Sequence, residues 1–253
     1  MTDSAAQFNA HADRYARSEV HRAGASLPVL VEFAAPRPDD LVLDVATGTG
    51  NTALALAPHV ASVVGVDLAD QMLAHARSRA GEEGHTHARF EQASAEALPF
   101  ADGAFTLVTS RHAPHHFRHL DRFLAEAFRV LRPGGRLVVA DQISPAAEQQ
   151  AWIDRYQRTR DPSHFAQRPV AEWQALAEAA GFVWARHTLV PYRLDFDWWT
   201  AQSGSSDEAV AELRRQVAEL SPEAARALGL ELDTSGQIIA HLEPMLVVRL
   251  DRL

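Results

Sequence analysis

A glycine-rich turn between a buried strand and a helix constrains this chain more than any other feature. Residues 41–50 read LVLDVATGTG, an apolar run that carries one acid, Asp44, and leads into the turn. Residues 48–53 complete the pattern G-x-G-x-x-A, in which a strand passes into a helix at a nucleotide-type site. A second apolar run ends in Asp67, where a ribose-binding carboxylate is expected. The sequence therefore predicts an open α/β sheet with a ligand site at its carboxyl edge.

The charge of Asp44 bears on which nucleotide this turn accepts. A dinucleotide would bring its pyrophosphate to the turn, and an acid just upstream would repel that group. S-adenosylmethionine (SAM) has no phosphate there and carries a sulfonium and an ammonium instead. The local charge favours SAM over NAD.

Several motifs in a fixed order extend this pattern over roughly residues 8–190. They are LDVATGTG at 43–50, VGVDLADQM at 64–72, AEALPF at 95–100, Arg111 with HHF at 115–117, RVLRPGG at 129–135 and RDPSH at 160–164. In these motifs the chain resembles the class I SAM-dependent methyltransferases, of the branch that includes the ubiquinone/menaquinone-biosynthesis C-methyltransferases. The resemblance is specific for fold and cofactor and much less so for the substrate.

Strands that alternate with helices predict a parallel sheet covered on both faces. The resemblance implies the full fold class, a Rossmann-like, doubly wound, seven-stranded and mostly parallel α/β sheet whose final hairpin is reversed. We expect an N-terminal helical lid over residues 1–35 and a SAM-binding methyltransferase domain over residues 36–253. A helical insert is expected at about 198–232, with a capping box formed by Ser205 and Glu208.

Composition excludes several other classes of protein. The formal charge of −9 argues against non-specific nucleic-acid binding, which needs a basic face. No apolar run reaches the length of a membrane span, and the first residues lack the pattern of a signal peptide. The chain has no cysteine, so thiol catalysis and disulfides are excluded. We expect a cytoplasmic protein with a small-molecule substrate, no nucleic-acid partner and no membrane span. A homodimer is the assembly that we consider for it.

The cofactor candidates follow from the glycine turn and the family motifs. Gly48 and Gly50 would let the backbone approach the methionine part of SAM. Asp67 would accept hydrogen bonds from both ribose hydroxyls. Where the family has an Asp–Ala pair at the adenine edge, this chain has Ser94 and Ala95, which predicts a weaker contact. The complete set is Asp44, Ala46, Gly48, Gly50, Asp67, Leu68, Met72, Ser94, Ala95 and Arg111.

The resemblance also implies which residues face the methyl acceptor. His115 and His116 follow the fourth strand, and we favour His115 as the group that faces the methyl donor and removes a proton. His164 is the second catalytic candidate. The substrate-binding candidates are Tyr15, His116 and Asp161, with His21 as a further lid residue and Trp198–Trp199 as a cavity wall. No metal site is predicted, since no C-x-x-C or H-E-x-x-H spacing occurs.

Two alternatives from other classes stay open at this point. One is an NAD(P)-dependent oxidoreductase that uses the G-x-G-x-x-A turn, although Asp44 argues against it. The other is a SAM-binding protein that no longer methylates and acts as a cyclase, a decarboxylase or a partner subunit, because fold does not fix function. The acceptor atom, whether carbon, oxygen or nitrogen, is also open; a quinol-like or aromatic acceptor is one candidate.

Overall fold

The computed structural model describes residues 4–253, except for the side chains of Glu19 and His21. The predicted lid role of His21 therefore lies outside the described side chains. The helices are α1 (Ser4–Arg17), α2 (Glu19–Ala23), α3 (Ser26–Ala34), α4 (Asn51–Leu56), α5 (Asp70–Glu82), α6 (Leu120–Val130), α7 (Ala147–Arg160), α8 (Val170–Ala179), α9 (Phe196–Ser203), α10 (Asp207–Ala218) and α11 (Pro222–Ala227). The strands are β1 (Leu41–Val45), β2 (Ser62–Asp67), β3 (Ala88–Gln92), β4 (Phe105–Arg111), β5 (Leu131–Gln142), β6 (Val183–Asp195), β7 (Leu230–Leu232) and β8 (Ile238–Asp251).

The strands form one sheet in the order β3-β2-β1-β4-β5-β8-β6, and β7 pairs with the side of β8 as an eighth, three-residue strand. The pairs among β1 to β5 are parallel, whereas β8 runs antiparallel to β5 and β6. The predicted doubly wound, mostly parallel sheet with a reversed final hairpin is confirmed. All seven predicted strands are present. Strand β7 was not predicted, because three residues are too few to show an alternation of apolar and polar side chains.

Alternating residues of the strands enter two separate apolar cores, as the period of two requires. Val42 of β1 packs with α3, α4 and α5 on one face of the sheet. The next residue, Leu43, packs on the other face with Phe123 of α6 and Trp173 of α8. Helices thus cover both faces and leave the carboxyl edge of the strands as the open end of the sheet.

The N-terminal helices α1 and α3 pack in different places. Helix α1 packs Ala12 and Tyr15 against Met72 of α5, at the carboxyl edge. Helix α3 instead buries Leu30 and Phe33 in the core beneath the sheet. The predicted lid of residues 1–35 is therefore too long, because its last helix is apolar enough to belong to the core.

A buried ion pair links the end of α3 to the sheet, on the side of the sheet that lies opposite its open carboxyl edge. Arg136 of β5 donates to Asp40 Oδ2 at 2.6 Å and to the backbone oxygen of Ala35 at 3.0 Å. It thereby satisfies carbonyls at the end of α3 that have no partner within the helix. The arginine is one of the largest fully buried side chains in the described part of the protein.

The predicted insert consists of α9, α10, α11 and β7. Its expected capping residue is wrong by one position. Ser206, not Ser205, precedes α10, and its hydroxyl accepts the N–H of Ala209 at 3.3 Å. Ser205 instead donates to the backbone oxygen of Arg160 at 3.2 Å, so it links the insert to α7.

Candidate active site

A cavity of about 470 Å³ lies at the carboxyl edge of the sheet. The strand-end acids Asp44 and Asp67 line one part of it, and Phe8 and Tyr15 of α1 line another. Glu243 of β8 is in its wall as well. Crevices at this edge are where ligands bind in open α/β folds.

The glycine turn after β1 has the left-handed backbone that its sequence predicts. Gly48 has φ +54°, lines the cavity, and would direct a Cβ into open space. Gly50, with φ +80°, plays a different part from the one expected. A Cβ there would meet Ala76 at 3.1 Å and Phe90 at 3.3 Å, so this glycine serves the packing of α5 and β3 against the turn. Ala46, also left-handed at φ +53°, lines the cavity.

Asp44 is a buried carboxylate held by two hydroxyls. Thr47 Oγ1 donates to Oδ2 and Thr109 Oγ1 donates to Oδ1, each at 2.7 Å. Burial nevertheless raises the pKa of Asp44 to about 6, against these hydrogen bonds and the charge of Arg111. A positive ligand beside this acid would reverse the effect of burial.

Arg111 is itself buried and joins three elements around the acid. Its Nε donates to Thr52 Oγ1 of α4 and its Nη1 to Ser26 Oγ of α3, both at 3.3 Å. It also hydrogen-bonds to Tyr192 of β6. Arg111 lines the cavity, as expected of a cofactor residue, and it ties the glycine turn to the far strands.

Asp67 ends β2 and contacts the backbone of the glycine turn. Its Oδ2 accepts the N–H of Gly48 at 2.8 Å, and its Oδ1 accepts the N–H of Ala69 at 2.9 Å. Burial raises the pKa of Asp67 in spite of these donors. The carboxylate therefore lines the cavity at the position that the sequence predicts, held rigidly against the turn.

The predicted adenine residues lie together beside Asp67. Leu68, Met72, Ser94 and Ala95 all line the cavity. Met72 is buried against α1, whereas Leu68 is 40% exposed. The Ser94 hydroxyl accepts the N–H of Glu96 at 3.2 Å, so one lone pair of this substituted residue is already in use.

His115 follows β4 in a short 3-10 turn, Pro114–His116, and lies beside the end of β5. Its Nδ1 donates to Asp141 Oδ1 at 2.7 Å. Burial opposes a charge on this ring, but the Asp141 carboxylate outweighs burial and raises the pKa of His115 above 6.5. Because Nδ1 is committed to Asp141, Nε2 is the atom that can exchange a proton.

His116 belongs to a second, separate chain of hydrogen bonds. Ser163 Oγ donates to Asp161 Oδ1 at 2.6 Å and lies 3.2 Å from His116 Nδ1. Since the serine proton goes to the carboxylate, His116 must offer an N–H to the serine oxygen. Burial and the neighbouring His115 lower the pKa of His116 well below 6.5. The pKa of Asp161, in contrast, is lowered. Burial alone would raise this pKa, but the charge of His116 and the hydrogen bonds from Ser163 outweigh the effect of burial.

His164 lies outside the cavity wall, which corrects its predicted place among the catalytic residues. Its Nε2 contacts Asp154 Oδ1 at 2.9 Å, because the turn after Asp161 directs the ring towards α7. The ring centroid is 5.7 Å from that of His115. Phe165 and Ala166 next to it donate to the backbone oxygen of His115 at 2.9 and 3.0 Å. The segment that contains His164 therefore contacts the His115 turn through the backbone of its next two residues.

Tyr15 of α1, which we expect to belong to the lid, lines the cavity and packs against Met72 of α5. Burial raises its pKa to about 12, so the phenol is neutral at physiological pH. Phe8 packs edge-on against both Tyr15 and His116, with ring centroids 5.4 and 5.0 Å away. Helix α1 thereby connects the cofactor side of the cavity with the histidines.

The cavity wall brings together nearly all of the predicted residues. They are Tyr15, Asp44, Ala46, Gly48, Asp67, Leu68, Met72, Ser94, Ala95, Arg111, His115, His116, Asp161, Trp198 and Trp199. Sequence reasoning missed Asp141 and Glu243. Asp141 ends the apolar strand β5 just as Asp67 ends β2, so the same signal could have found it. Glu243 has no such signal, because it lies within a long antiparallel strand.

Two further structural observations concern residues 4–253. No group of three or more histidine, aspartate or glutamate side chains there is arranged to hold a metal ion. No helix within this span combines the length and the apolarity needed to cross a bilayer.

Comparison with known proteins gives a consistent result. A family model described as a methyltransferase domain matches residues 43–139. The uncharacterized methyltransferase YcgJ of Bacillus subtilis (strain 168) is 31% identical over 92% of this chain and 92% of its own length. The crystal structure of the B. subtilis YcgJ protein matches with a TM-score of 0.86 and 30% identity, over 90% of this chain and 97% of that one.

A further relative matches a shorter part of this chain. The demethylmenaquinone methyltransferase of Thermus thermophilus is 46% identical over 113 residues, which are 44% of this chain and 51% of the relative. The resemblance found in the motifs is confirmed: this chain belongs to the methyltransferase family.

Proposed function

We propose that this enzyme uses SAM to methylate a small-molecule acceptor and releases S-adenosylhomocysteine. The observation that carries the proposal is a pair of carboxylates at adjacent strand ends, of which Asp44 is buried and Asp67 is half-buried. Asp44 and Asp67 line one cavity, and burial raises the pKa of each. A cationic nucleoside would supply the positive charge that both lack, whereas a dinucleotide pyrophosphate would be repelled.

The residues present fit this cofactor at each of its parts. Asp67 would bind the ribose hydroxyls, and Asp44 with the backbone at Gly48 would bind the amino acid portion. Leu68, Met72 and the Ser94–Ala95 segment would enclose the adenine. When bound, SAM supplies an electrophilic methyl group on sulfur.

The residues of the chain would then align the acceptor and exclude water, which matter most for an in-line displacement. His115 is our candidate base for an acceptor whose nucleophile must lose a proton. Asp141 fixes its Nδ1–H and leaves Nε2 as the acceptor atom. A pKa raised above 6.5 makes His115 a stronger base than an ordinary histidine. His116 is the second candidate, because its lowered pKa keeps it neutral at physiological pH.

A cavity that contains Trp198, Trp199 and Met245 supports an acceptor with an aromatic or otherwise apolar body. The 46% identity to a demethylmenaquinone methyltransferase supports the same class, including quinol-like acceptors. A cytoplasmic location and a homodimer stay predictions; sedimentation analysis of the purified protein tests the second.

Calorimetric titration with S-adenosylhomocysteine and NADH tests the cofactor. We expect saturable binding of the first and none of the second. Asp67→Ala should weaken S-adenosylhomocysteine binding by about 1.5–3 kcal/mol, the scale of hydrogen bonds to a charged group. Asp70→Ala, an exposed acid on α5, serves as the control. NADH binding that displaces S-adenosylhomocysteine would overturn the proposal.

Transfer of a radiolabelled methyl group to quinol-like, phenolic and amine acceptors tests the reaction. Incorporation into any acceptor in a protein-dependent manner supports methylation. Tight binding of SAM without incorporation across the whole screen would favour the alternative, a SAM-binding protein that does not methylate.

A further inference from the structure

One end of the cavity, which we call the inner chamber, is lined by Arg160, Tyr192, Leu194, Trp198, Glu243 and Met245. Tyr192 and Glu243 are directly opposed in the β6–β8 ladder, so both side chains project from the same face of the hairpin. Helix α7 contributes Arg160 from the other side.

Glu243 has one carboxylate oxygen with a partner and one without. Its Oε1 accepts from Gln157 Nε2 at 3.0 Å. Its Oε2 is shielded from solvent and has no hydrogen-bond partner among the described residues. Buried polar atoms are nearly always paired, so an unpaired one in a cavity wall points to a missing ligand.

Arg160 also has hydrogen-bonding capacity that the described residues leave unused. Its Nε donates to the backbone oxygen of Trp199 at 3.0 Å, and its guanidinium lies 4.6 Å above the centre of that ring. These contacts fix the plane of the side chain. Within the described part of the chain, no acceptor hydrogen-bonds to the two terminal nitrogens. A fixed guanidinium with two such nitrogens matches the geometry of a carboxylate.

The electrostatics of the chamber agree with an anionic ligand. Burial raises the pKa of Glu243, although Arg160, Gln157 and His115 oppose the rise. A carboxyl group with a raised pKa takes up a proton more readily than an ordinary glutamate, and it can then donate that proton in a hydrogen bond. The other titratable groups around it are Tyr156 on α7, Tyr192 on β6 and His241 on β8. Burial raises the pKa of Tyr156 and lowers that of His241 to about 3, so both rings are neutral.

We propose that the inner chamber binds the carboxylate group of a small, mainly apolar molecule. The two terminal nitrogens of Arg160 donate to that carboxylate. Oε2 of Glu243 takes up a proton on binding and donates it to the same carboxylate, while Leu194, Trp198 and Met245 contact the apolar body. That this molecule is the methyl acceptor rests on the function proposed above; the binding site itself does not.

Three probes of similar size and different charge test this assignment. They are 4-hydroxybenzoate, 4-hydroxybenzyl alcohol and 4-hydroxybenzylamine, titrated calorimetrically into the protein with and without S-adenosylhomocysteine. We expect the dissociation constant of the acid to be at least tenfold lower than those of the alcohol and the amine. Binding of the acid at pH 7.5 should also draw protons from the buffer, detected by repeating the titration in buffers of different ionisation enthalpy.

Variants assign the effect to the two side chains. Arg160→Met should raise the dissociation constant of the acid at least tenfold, whereas Arg155→Met, an exposed arginine on the same helix, should leave it within twofold. Glu243→Gln keeps a donor, so affinity for the acid should stay within threefold while proton uptake disappears. An unchanged melting temperature and an unchanged affinity for S-adenosylhomocysteine show that the variants are folded.

Equal affinity for the three probes, including no binding of any of them, would overturn the assignment. So would tighter binding of the amine that is lost in Glu243→Gln. If S-adenosylhomocysteine fails to bind while the acid binds through Arg160, the proposed function fails and the carboxylate site stands.

Discussion

Asp141 Oδ1 lies 2.7 Å from Nδ1 of His115. Asp141 is the next-to-last residue of β5, and His115 lies in the 3-10 turn that follows the neighbouring parallel strand β4. Both side chains are buried. An ionised carboxylate in such a place stabilises the imidazolium and fixes the tautomer of the neutral ring. The pair gives the cavity a histidine of defined orientation, from which three predictions about protonation and rate can be derived.

Replacement of His115 by alanine should reduce single-turnover methyl transfer by about 10²–10⁴-fold, the usual contribution of a general base. The affinity for S-adenosylhomocysteine should stay within about threefold, because only a transition-state contact is lost. His85→Ala, between α5 and β3, is the control and should change neither quantity. Wild-type turnover in His115→Ala would assign His115 to packing alone.

The pH dependence of the wild-type rate distinguishes the two candidate bases. Because the pKa of His115 is raised, His115 gains a proton as pH falls through a value above 6.5 and the rate should decline there. If His116 were the base, its lowered pKa would keep the rate constant to well below pH 6.5. Single-turnover rates between pH 5 and 9 decide between them.

Asp141→Asn should shift that profile to lower pH. Asparagine can still accept from Nδ1 but carries no charge, so the pKa of His115 should fall. The rate at high pH should fall too, because a weaker base removes the proton more slowly. The control is Asp121→Asn, an exposed acid on α6, whose profile should match the wild type. An unchanged profile in Asp141→Asn would contradict His115 as the titrating base.

Binding of S-adenosylhomocysteine should weaken in acid. The pKa of Asp44 is about 6 without ligand, and the ammonium of the ligand prefers the ionised form. Affinity should be constant above pH 7 and fall by about tenfold at pH 5, where Asp44 is mostly protonated. Asp44→Asn should bind weakly at pH 7.5 with little change down to pH 5. Calorimetry at four pH values measures both; equal pH dependence in the two proteins would exclude Asp44 as the cause.

Removal of residues 1–17 should leave a folded protein that binds S-adenosylhomocysteine more weakly and methylates poorly. The cut takes away α1, including Tyr15 over the cavity, and keeps α3 in the core. A longer deletion through residue 34 should prevent folding, because Leu30 and Phe33 are buried. In the intact protein, cofactor should slow hydrogen exchange in α1 more than in β4. Full activity in the shorter deletion would show that α1 is not a lid.

Arg136→Met should lower the free energy of unfolding by about 3–5 kcal/mol, since it leaves Asp40 buried without its charge partner. Burial alone would raise the pKa of Asp40, but Arg136 and Thr106 lower it. A carboxyl group whose pKa is lowered in the folded protein adds to stability at pH values above its ordinary pKa of 3.8. That contribution is lost as the pH falls through the lower pKa of the folded state. Urea titrations at pH 7 and pH 3 should therefore show a smaller difference between variant and wild type at pH 3. The same difference at both values would contradict the ion pair as the cause.

The strand-end acids Asp44 and Asp67 could be predicted because they follow from local pattern, whereas the doubly wound sheet with its reversed final hairpin was implied by the family resemblance. Asp67 ends an apolar run, and parallel strands place such ends at one edge. The orientation of His164 could not be predicted, because it depends on how the turn after α7 directs a ring towards Asp154. Gly50 was assigned to the cofactor on its motif alone, whereas its packing against Phe90 depends on a strand forty residues away in sequence.

The β6–β8 hairpin has a consequence for how this enzyme could acquire a new acceptor. Tyr192 and Glu243 are paired in two strands in which successive side chains point to opposite faces of the sheet. A one-residue insertion in either strand would turn every side chain beyond it to the other face. Loop grafting, a common route to new specificity in α/β enzymes, cannot reach this wall. Acceptor preference should therefore change through substitutions of single side chains by others of similar volume along these two strands. Libraries that vary these positions at a fixed strand length should yield more folded proteins than libraries that vary the length.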